Sequence, residues 1–348
     1  MAIVYGNLRL AAFLALRRKT SRAARIVWPM LGLMLAFSVY DAFRLEPNFI
    51  QVTRHTIKTS KLPPGARVRV VQLADIHLSK LGVREIQMMN RTAREFPDVI
   101  VLTGDHSVDK SPRTMLHLKQ IGIRLSKLAP TYAIEGNWDV ALDMIALRQG
   151  GVHLLNGWTV VTSRDGKASI ALGEIPWFTK GVAPPPRKLT GIYTVGLCHM
   201  PHKFKYAARA GYDLMLAGHT HGGQVRLPLL GALLPERRLV GKYQAGFYRE
   251  GRSLMYVSRG IGMEARPAPQ VRFFCRPEVV VIDIVGERRP GRYRLQGVQG
   301  DPHSHQLRLG RWVSPQSGAL GQESPGRLLL RRRAVVMNAG LEFPAKMG

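Results

Sequence analysis

The sequence predicts an α/β fold in which two packed β-sheets carry helices on their outer faces. Three features point there. Short apolar runs (Val68 to Ala74, Val99 to Leu102, Thr131 to Ile134) alternate with amphipathic, helix-like stretches (Val83 to Glu95, Met115 to Leu128), which is the pattern of βαβ units. Each run ends in a polar or glycine-containing tip, where a parallel sheet gathers its functional loops. From Val152 to Glu174 the pattern changes to short runs with turns at Asn156-Gly157 and Asp165-Gly166, which predicts a meander of antiparallel strands.

The remaining elements follow in order. Leu62-Pro63-Pro64-Gly65 is a turn ahead of the first strand, and Pro97-Asp98 opens the second. Gly181 to Pro186 is a proline-rich loop, and Ile192 to Cys198 is a strand ending at His199. Further strands are expected at Leu214 to Ala217, Leu254 to Ser258, Val271 to Phe274 and Val279 to Val285. The folded domain is placed at residues 66–286. At 348 residues the chain has ample length for a buried core. Cys198 and Cys275 sit in apolar runs without a C-x-x-C pair and read as core residues, not as a disulfide framework.

The two ends differ from this core. Residues 1–25 carry Arg9, Arg17, Arg18, Lys19, Arg22 and Arg25 with no acid, and residues 26–43 form an apolar segment containing only Asp41 as a charge. That is a membrane-targeting pattern. An uncleaved anchor is the preferred reading, with an interfacial helix or a cleaved signal as alternatives, because Ile26 to Tyr40 falls a little short of the roughly 20 residues that cross a bilayer. Basic residues ahead of the segment would keep that end cytoplasmic and slightly favour an extracytoplasmic domain, although Arg44, Arg54, Lys58 and Lys61 weaken the asymmetry. Residues 287–348 are basic, hold Arg331-Arg332-Arg333, and show no sustained period, which predicts a largely disordered tail with a short helix near Leu328 to Val336. Against 23 Asp plus Glu stand 51 Lys plus Arg, a net charge of +28 that calls for an anionic partner or surface. Much of the surplus lies in the two ends, which favours membrane over a specific nucleic acid. No protein partner is indicated.

The chemistry is concentrated in five strand-end loops, which present Asp75 and His77, Asp105, Asn137, His199, and His219 with His221. In Gly218-His219-Thr220-His221-Gly222-Gly223-Gln224 two imidazoles one residue apart can reach a common centre only where the backbone leaves the strand, and the glycines permit that. Oxygen donors mixed with imidazoles suit Mn, Fe or Zn, and seven side chains exceed one tetrahedral ion. Two divalent ions sharing a carboxylate would use them all.

D-x-H, G-D, G-N-x-D, a lone His after a strand and G-H-T-H-G-G-Q, in this order, resemble the calcineurin-like metallophosphoesterase superfamily. Val225-Arg226-Leu227-Pro228 and Val257-Ser258-Arg259-Gly260-Ile261-Gly262 resemble its bacterial membrane-associated phosphodiesterase branch. The resemblance implies a four-layer sandwich, two central mixed sheets flanked by helices, at the inner membrane. It also implies a binuclear site in which Asp75, His77 and His221 hold one metal, Asn137, His199 and His219 the other, and Asp105 bridges them. His199 is preferred to its neighbour His202. Asp105, Asn137 and His219 would carry the catalytic chemistry with a metal-activated bridging water, and Trp138, Gly222, Gly223 and Gln224 would bind substrate.

One departure matters. Many members carry histidine where this chain has Trp138, and an indole has no titratable proton to give near neutral pH. Loss of a general acid removes about 10²- to 10⁴-fold for a poor leaving group. A phosphate leaving group does not need the help, so Trp138 tilts the substrate toward pyrophosphates or activated esters, as in the family's UDP-2,3-diacylglucosamine pyrophosphohydrolases of lipid A synthesis. His106 and His153 are the nearby alternatives for the acid, and both suit ordinary polar positions. Trp138, Trp177, Phe178 and Leu227 to Leu234 could line an acyl groove, and the uncharged stretch Pro228 to Pro235 could dip into a membrane. The expected substrate is thus a lipid- or nucleotide-linked phosphate; a non-catalytic scaffold with the same fold is the alternative from another class.

Overall fold

Alternate residues along the strands are apolar on both faces, and the two sets are buried against different neighbours. In β2 (Arg67–Leu73), Val68 and Val70 lie between the sheets, whereas Val71 and Leu73 pack under helices. This two-sided burial requires a covered sheet, and the computed structural model has two. It describes residues 21–228, 230–232, 243–264 and 269–288, and the backbone of 295–296.

Among the described residues the first sheet contains β1 (Gln51–Thr59), β2, β3 (Val99–Thr103), β4 (Thr131–Ile134), β5 (His153–Leu154), β14 (Glu278–Gly286) and β15 (Leu295–Gln296), in the order β15-β1-β14-β2-β3-β4-β5. The second contains β6 (Trp158–Thr162), β7 (Ser169–Glu174), β8 (Tyr193–Leu197), β9 (Leu214–Ala217), β12 (Gly246–Glu250) and β13 (Ser253–Val257), in the order β12-β13-β9-β8-β7-β6. Strands β2, β3 and β4 run parallel, as do β7, β8, β9 and β13. Val68, Val70, Val101 and Ile282 of the first sheet meet Ile170, Val195, Leu197 and Leu216 of the second in the central core.

Helices α2 (Val83–Arg94), α3 (Pro112–Ser126) and α4 (Ala141–Gln149) cover the first sheet with Met88, Leu118, Ile121 and Leu147. Local signals start them: Glu85 accepts from the Gly82 N–H at 2.9 Å, and Ser111 caps α3 ahead of Pro112. Helix α5 (Phe204–Ala210) covers the second sheet, placing Phe204 and Ala207 on Met215 and Met255. The fold is therefore the mixed α/β sandwich with two multistranded sheets and flanking helices that the sequence predicts.

Several details differ. The first sheet takes in β1, which lies ahead of residue 66 and went unread because its outward positions are polar: Arg54 pairs with Glu95, and Lys58 approaches Glu287. Strand β5 joins β4 in parallel, so of the predicted meander only β6 and β7 pair antiparallel, and β7 then pairs parallel with β8. Residues 271–274 are not a strand but an irregular segment held by a single bridge, Val225 to Phe273. Helices α4 and α5 and strand β12 were not anticipated. Cys198 and Cys275 are buried and free. The predicted basic tail and its short helix fall outside the described residues apart from 287–288 and β15.

At the amino-terminal end, α1 (Arg22–Tyr40) is capped by Ser21, and its chain continues helically through turns at Asp41–Leu45 and Glu46–Asn48. These residues form one helix long and apolar enough to cross a membrane. Ile26, Met30, Leu33, Met34 and Phe37 are all exposed. Residues 1–20, with most of the basic flank, lie outside the described part.

Candidate metal centre

The loops after β2, β3, β4, β8 and β9 converge where the two sheets adjoin. Within the first sheet the Asp75 N–H donates to the Gly104 carbonyl (3.1 Å) and the His77 N–H to the Asp105 carbonyl (3.0 Å). Between the sheets, His219 N–H donates to Asp75 Oδ1 at 2.8 Å, and Gln72 Nε2 donates to the Ala217 carbonyl at 2.9 Å. Strand order thus brings residues 146 positions apart to one spot, Asp75 and His221 included.

Turning the side chains inward strains the backbone. Asp75, His77, Asp105, His219 and His221 all have positive φ, between 44° and 72°. Such conformations are unfavourable by roughly 1–2 kcal/mol for residues bearing a Cβ, and they persist where surrounding structure over-determines them, typically at functional sites. Gly136 is required by contact: a Cβ there would lie 2.2 Å from Asp105 Oδ1.

Two triads result. One ligand atom from each of Asp75, His77 and His221 lies within 4.8 Å of the others, and the same holds for Asp105, His199 and His219. His77 Nε2 and His221 Nε2 approach to 3.1 Å, so that only one can carry a hydrogen there, and Asp105 Oδ2 lies 3.5 Å from His77 Nε2. On the other side His199 donates through Nδ1 to the Thr103 carbonyl (2.9 Å), which aims Nε2 at Asn137 Oδ1 (2.9 Å) and Asp105 Oδ2 (3.3 Å). Asp105, a member of the second triad, therefore also faces the first. His202 is exposed, whereas His199 is buried.

The electrostatics match a cation site. Burial holds His77 down to about 3 and His219 to about 4, and it pushes His221 well below the ordinary imidazole range, so all three present lone pairs. Burial also raises Asp75 to about 7, and the Asp105 charge adds to this while His199 opposes it. Burial would lower His199, yet its hydrogen bond and attraction to Asp105 carry it up to about 9 and take Asp105 down to about 2. A proton on His199 Nε2 thus sits among Asn137 and Asp105 oxygens, a position whose chemistry equally suits a divalent cation. Asp75 Oδ2 is buried without a hydrogen-bond partner, a further unmet demand for positive charge. The donor set of carboxylates, imidazoles and one amide oxygen fits ions such as Mn, Fe or Zn.

Supporting residues are less visible in the sequence. Asp139 accepts from three backbone N–H groups, those of Asp105 (2.8 Å), Gly136 (2.8 Å) and His106 (2.7 Å), and so ties the β3 and β4 loops together. Arg272, fully buried, donates to the carbonyls of Gly262, Cys275, Arg259 and Gly260 and thereby secures the loop behind Asp75 and His77. Glu264 lies 3.5 Å from His221 Nε2 and accepts from the Trp138 indole at 3.1 Å. The sequence reading missed Arg272 and Glu264, whose partners lie in distant loops. The G-N-x-D motif displayed Asp139 without disclosing its role.

The residues expected to bind substrate lie in different surroundings. Trp138 stands at the rim, 38% exposed, with its backbone N–H donating to Asp105 Oδ1 at 2.9 Å. Gly222, Gly223 and Gln224 are buried, and Gln224 receives the Glu264 N–H at 2.8 Å, so these three shape the loop from within. His106 Nε2 is engaged by the Ile134 carbonyl, and His153 is exposed against Tyr132. Phe178 is exposed beside Trp177, whereas Leu233 and Leu234 lie outside the described residues.

Comparison with known proteins points the same way. The family model described as Calcineurin-like phosphoesterase matches residues 68–223. The chain is 32% identical to "Uncharacterized metallophosphoesterase YkuE" of Bacillus subtilis (strain 168), over 69% of this chain and 87% of the relative. It is 27% identical to "Phosphodiesterase YaeI" of Escherichia coli (strain K12), over 69% of this chain and 90% of the relative. A more distant likeness, 23% identity over 71% of this chain and 92% of the relative, links it to "UDP-2,3-diacylglucosamine pyrophosphatase LpxG" of Chlamydia muridarum (strain MoPn / Nigg).

Proposed function

The chain belongs to the calcineurin-like phosphoesterase family, and from that premise we propose that it is a membrane-associated hydrolase of a phosphodiester or pyrophosphate bond in a lipid-linked substrate. In this reading Asp75, His77 and His221 hold one divalent ion, Asn137, His199 and His219 hold a second, and Asp105 is shared. The observation that carries it is the pair of triads, Asp75-His77-His221 and Asp105-His199-His219, each with its ligand atoms within 4.8 Å of one another, joined where Asp105 Oδ2 lies 3.3 Å from His199 Nε2 and 3.5 Å from His77 Nε2. Bound there, divalent ions would supply Lewis-acid polarisation of a phosphoryl group and a water of lowered pKa. The protein's own contribution is orientation. The Thr103 carbonyl fixes the His199 tautomer, and the Asp75 carboxylate is steered by the His219 N–H.

Trp138 decides between leaving groups. Its indole N–H donates to Glu264 and is not titratable near neutral pH, so expulsion of an alkoxide gains nothing from it. A phosphate or other weakly basic leaving group departs without that aid, which favours a second, narrower reading as a UDP-2,3-diacylglucosamine pyrophosphohydrolase, the activity named for the Chlamydia relative. A non-catalytic scaffold is disfavoured because all seven candidate ligands are present.

The test is an assay of purified, manganese-loaded protein against UDP-diacylglucosamine, lipid and aryl phosphodiesters, and phosphomonoesters, alongside Asp105→Ala and His221→Ala. Turnover by wild type that both variants abolish while remaining folded supports the reading. Metal-replete wild type inert toward every phosphoester, or variants of undiminished activity, rejects it.

A further inference from the structure

Helix α1 runs directly into the loop that backs the candidate metal ligands. The Glu46 carboxylate, itself buried, accepts from the backbone N–H groups of Phe274 (2.9 Å) and Cys275, and the Arg272 N–H donates to the Ala42 carbonyl at 3.0 Å. Cys275 then donates its thiol to the His221 carbonyl at 3.3 Å. A single residue, Cys275, separates the end of the apolar helix from a candidate ligand. The buried carboxylate with two backbone donors makes this junction a fixed one and not a loose tether.

Around the junction the surface is apolar. Phe43, Leu45, Phe49 and Phe274 are between 42% and 53% exposed, although each adjoins residues that are buried. Phe274 is held outward by a backbone at φ 49°, and its ring packs on Phe273, which bridges to Val225 at the base of the hairpin β10 (Arg226–Leu227) and β11 (Gly231–Ala232). Leu230 on that hairpin is 70% exposed. Basic groups interleave: Arg44 lies between Phe43 and Leu45 in sequence, and the Arg276 guanidinium sits 4.4 Å over the Phe49 ring. Aromatic rings interspersed with arginine suit the headgroup region of an anionic bilayer, and this patch is continuous with the helix of spanning length.

We propose that Phe43, Leu45, Phe49 and Phe274 form a seat that beds into the phospholipid interface at the end of α1, fixing the metal centre one residue from the bilayer surface. The substrate class this selects is a phosphoester whose hydrophobic part stays in the membrane. The inference deepens the phosphoesterase reading above and rests on it for the chemistry, but the seat is testable apart from it.

The full chain is reconstituted in vesicles of mixed phosphatidylcholine and phosphatidylglycerol. It is then given two substrates with the same leaving group, a soluble methyl p-nitrophenyl phosphodiester and a diacylglycerol p-nitrophenyl phosphodiester resident in the bilayer. Phe49→Asp and Phe274→Asp should leave turnover of the soluble ester unchanged and lower that of the bilayer ester by about ten- to a hundredfold each, the equivalent of removing one seated aromatic side chain. Unchanged turnover of the bilayer ester, or equal loss on both esters, overturns the seat. Independently of activity, a spin label on Phe49→Cys should report a depth within the headgroup region, and a fully aqueous label overturns it. Wild type inactive on both esters with the label at headgroup depth refutes the phosphodiesterase form of the reading above while upholding the seat.

Discussion

Asp139→Asn isolates the brace that positions the Asp105 carboxylate without replacing any candidate ligand. One oxygen of Asp139 accepts from the N–H groups of Asp105 and Gly136, and the other from that of His106. An asparagine keeps only one oxygen. Facing it toward Asp105 and Gly136 preserves two bonds but sets an amide N–H₂ against the His106 N–H, and the opposite flip loses two. Hydrogen bonds to a charged acceptor are worth about 1.5–3 kcal/mol each, so the better arrangement loses about that much for the abandoned donor, with a smaller loss of charge assistance on the other two. The expected outcome is destabilisation of about 2–4 kcal/mol in urea unfolding of metal-free protein. Because the two loops carrying Asp105 and Asn137 are loosened, manganese affinity by calorimetry should also fall about 10- to 100-fold, as when an outer support is removed from a metal site. Asp139→Asn with wild-type stability and wild-type affinity would refute the role assigned to this brace.

Other perturbations test neighbouring links. Gly136→Ala forces a Cβ to within 2.2 Å of Asp105 Oδ1, so metal content by elemental analysis should drop while the far-ultraviolet circular dichroism is retained. Trp138→His should accelerate an alkyl phosphodiester by up to about 10²- to 10⁴-fold and barely change an aryl one, and equal effects on both would exclude acid catalysis from that position. For pH, His77 at about 3, His219 at about 4 and His221 well below the ordinary 6.5 take up protons mainly on unfolding, so metal-free stability should fall as pH drops from 6.5 toward 4. Asp75, raised from 3.8 to about 7, works the other way: its contribution is present at low pH and lost as pH rises toward 7. His199, raised from 6.5 to about 9, also works against the three, but its contribution is lost mainly above pH 6.5; between pH 5 and 7 the three depressed histidines outweigh Asp75, and a urea midpoint no lower at pH 5 than at pH 7 would contradict this.

The ligand loops were legible because chemistry and pattern coincide there: Asp75, Asp105, Asn137 and His219 each follow an apolar run by a few residues. The two-sheet sandwich was legible for a similar reason, since runs such as Val99 to Leu102 are apolar on both faces and demand cover. Strand β1 was not, because Arg54, Thr56 and Lys58 read as a polar connector until Glu95 and Glu287 are seen opposite. Residues 271–274 misled in the other direction: Val271, Phe273 and Phe274 mimic a strand, yet the segment is set by Arg272 reaching backbone carbonyls and by Glu46 capping two N–H groups. The Glu46 contacts span more than 220 positions and leave no local signature. The same holds for Glu264, which reaches the site through Trp138, His221 and Gln224.

Crystals of the manganese-loaded protein, with data collected at the manganese absorption edge, examine the shared-carboxylate site most directly. Two anomalous peaks roughly 3.5 to 4 Å apart are expected, one beside Asp75, His77 and His221 and the other beside Asn137, His199 and His219, with Asp105 touching both. A single peak at full manganese loading, or peaks remote from Asp105, would contradict the account.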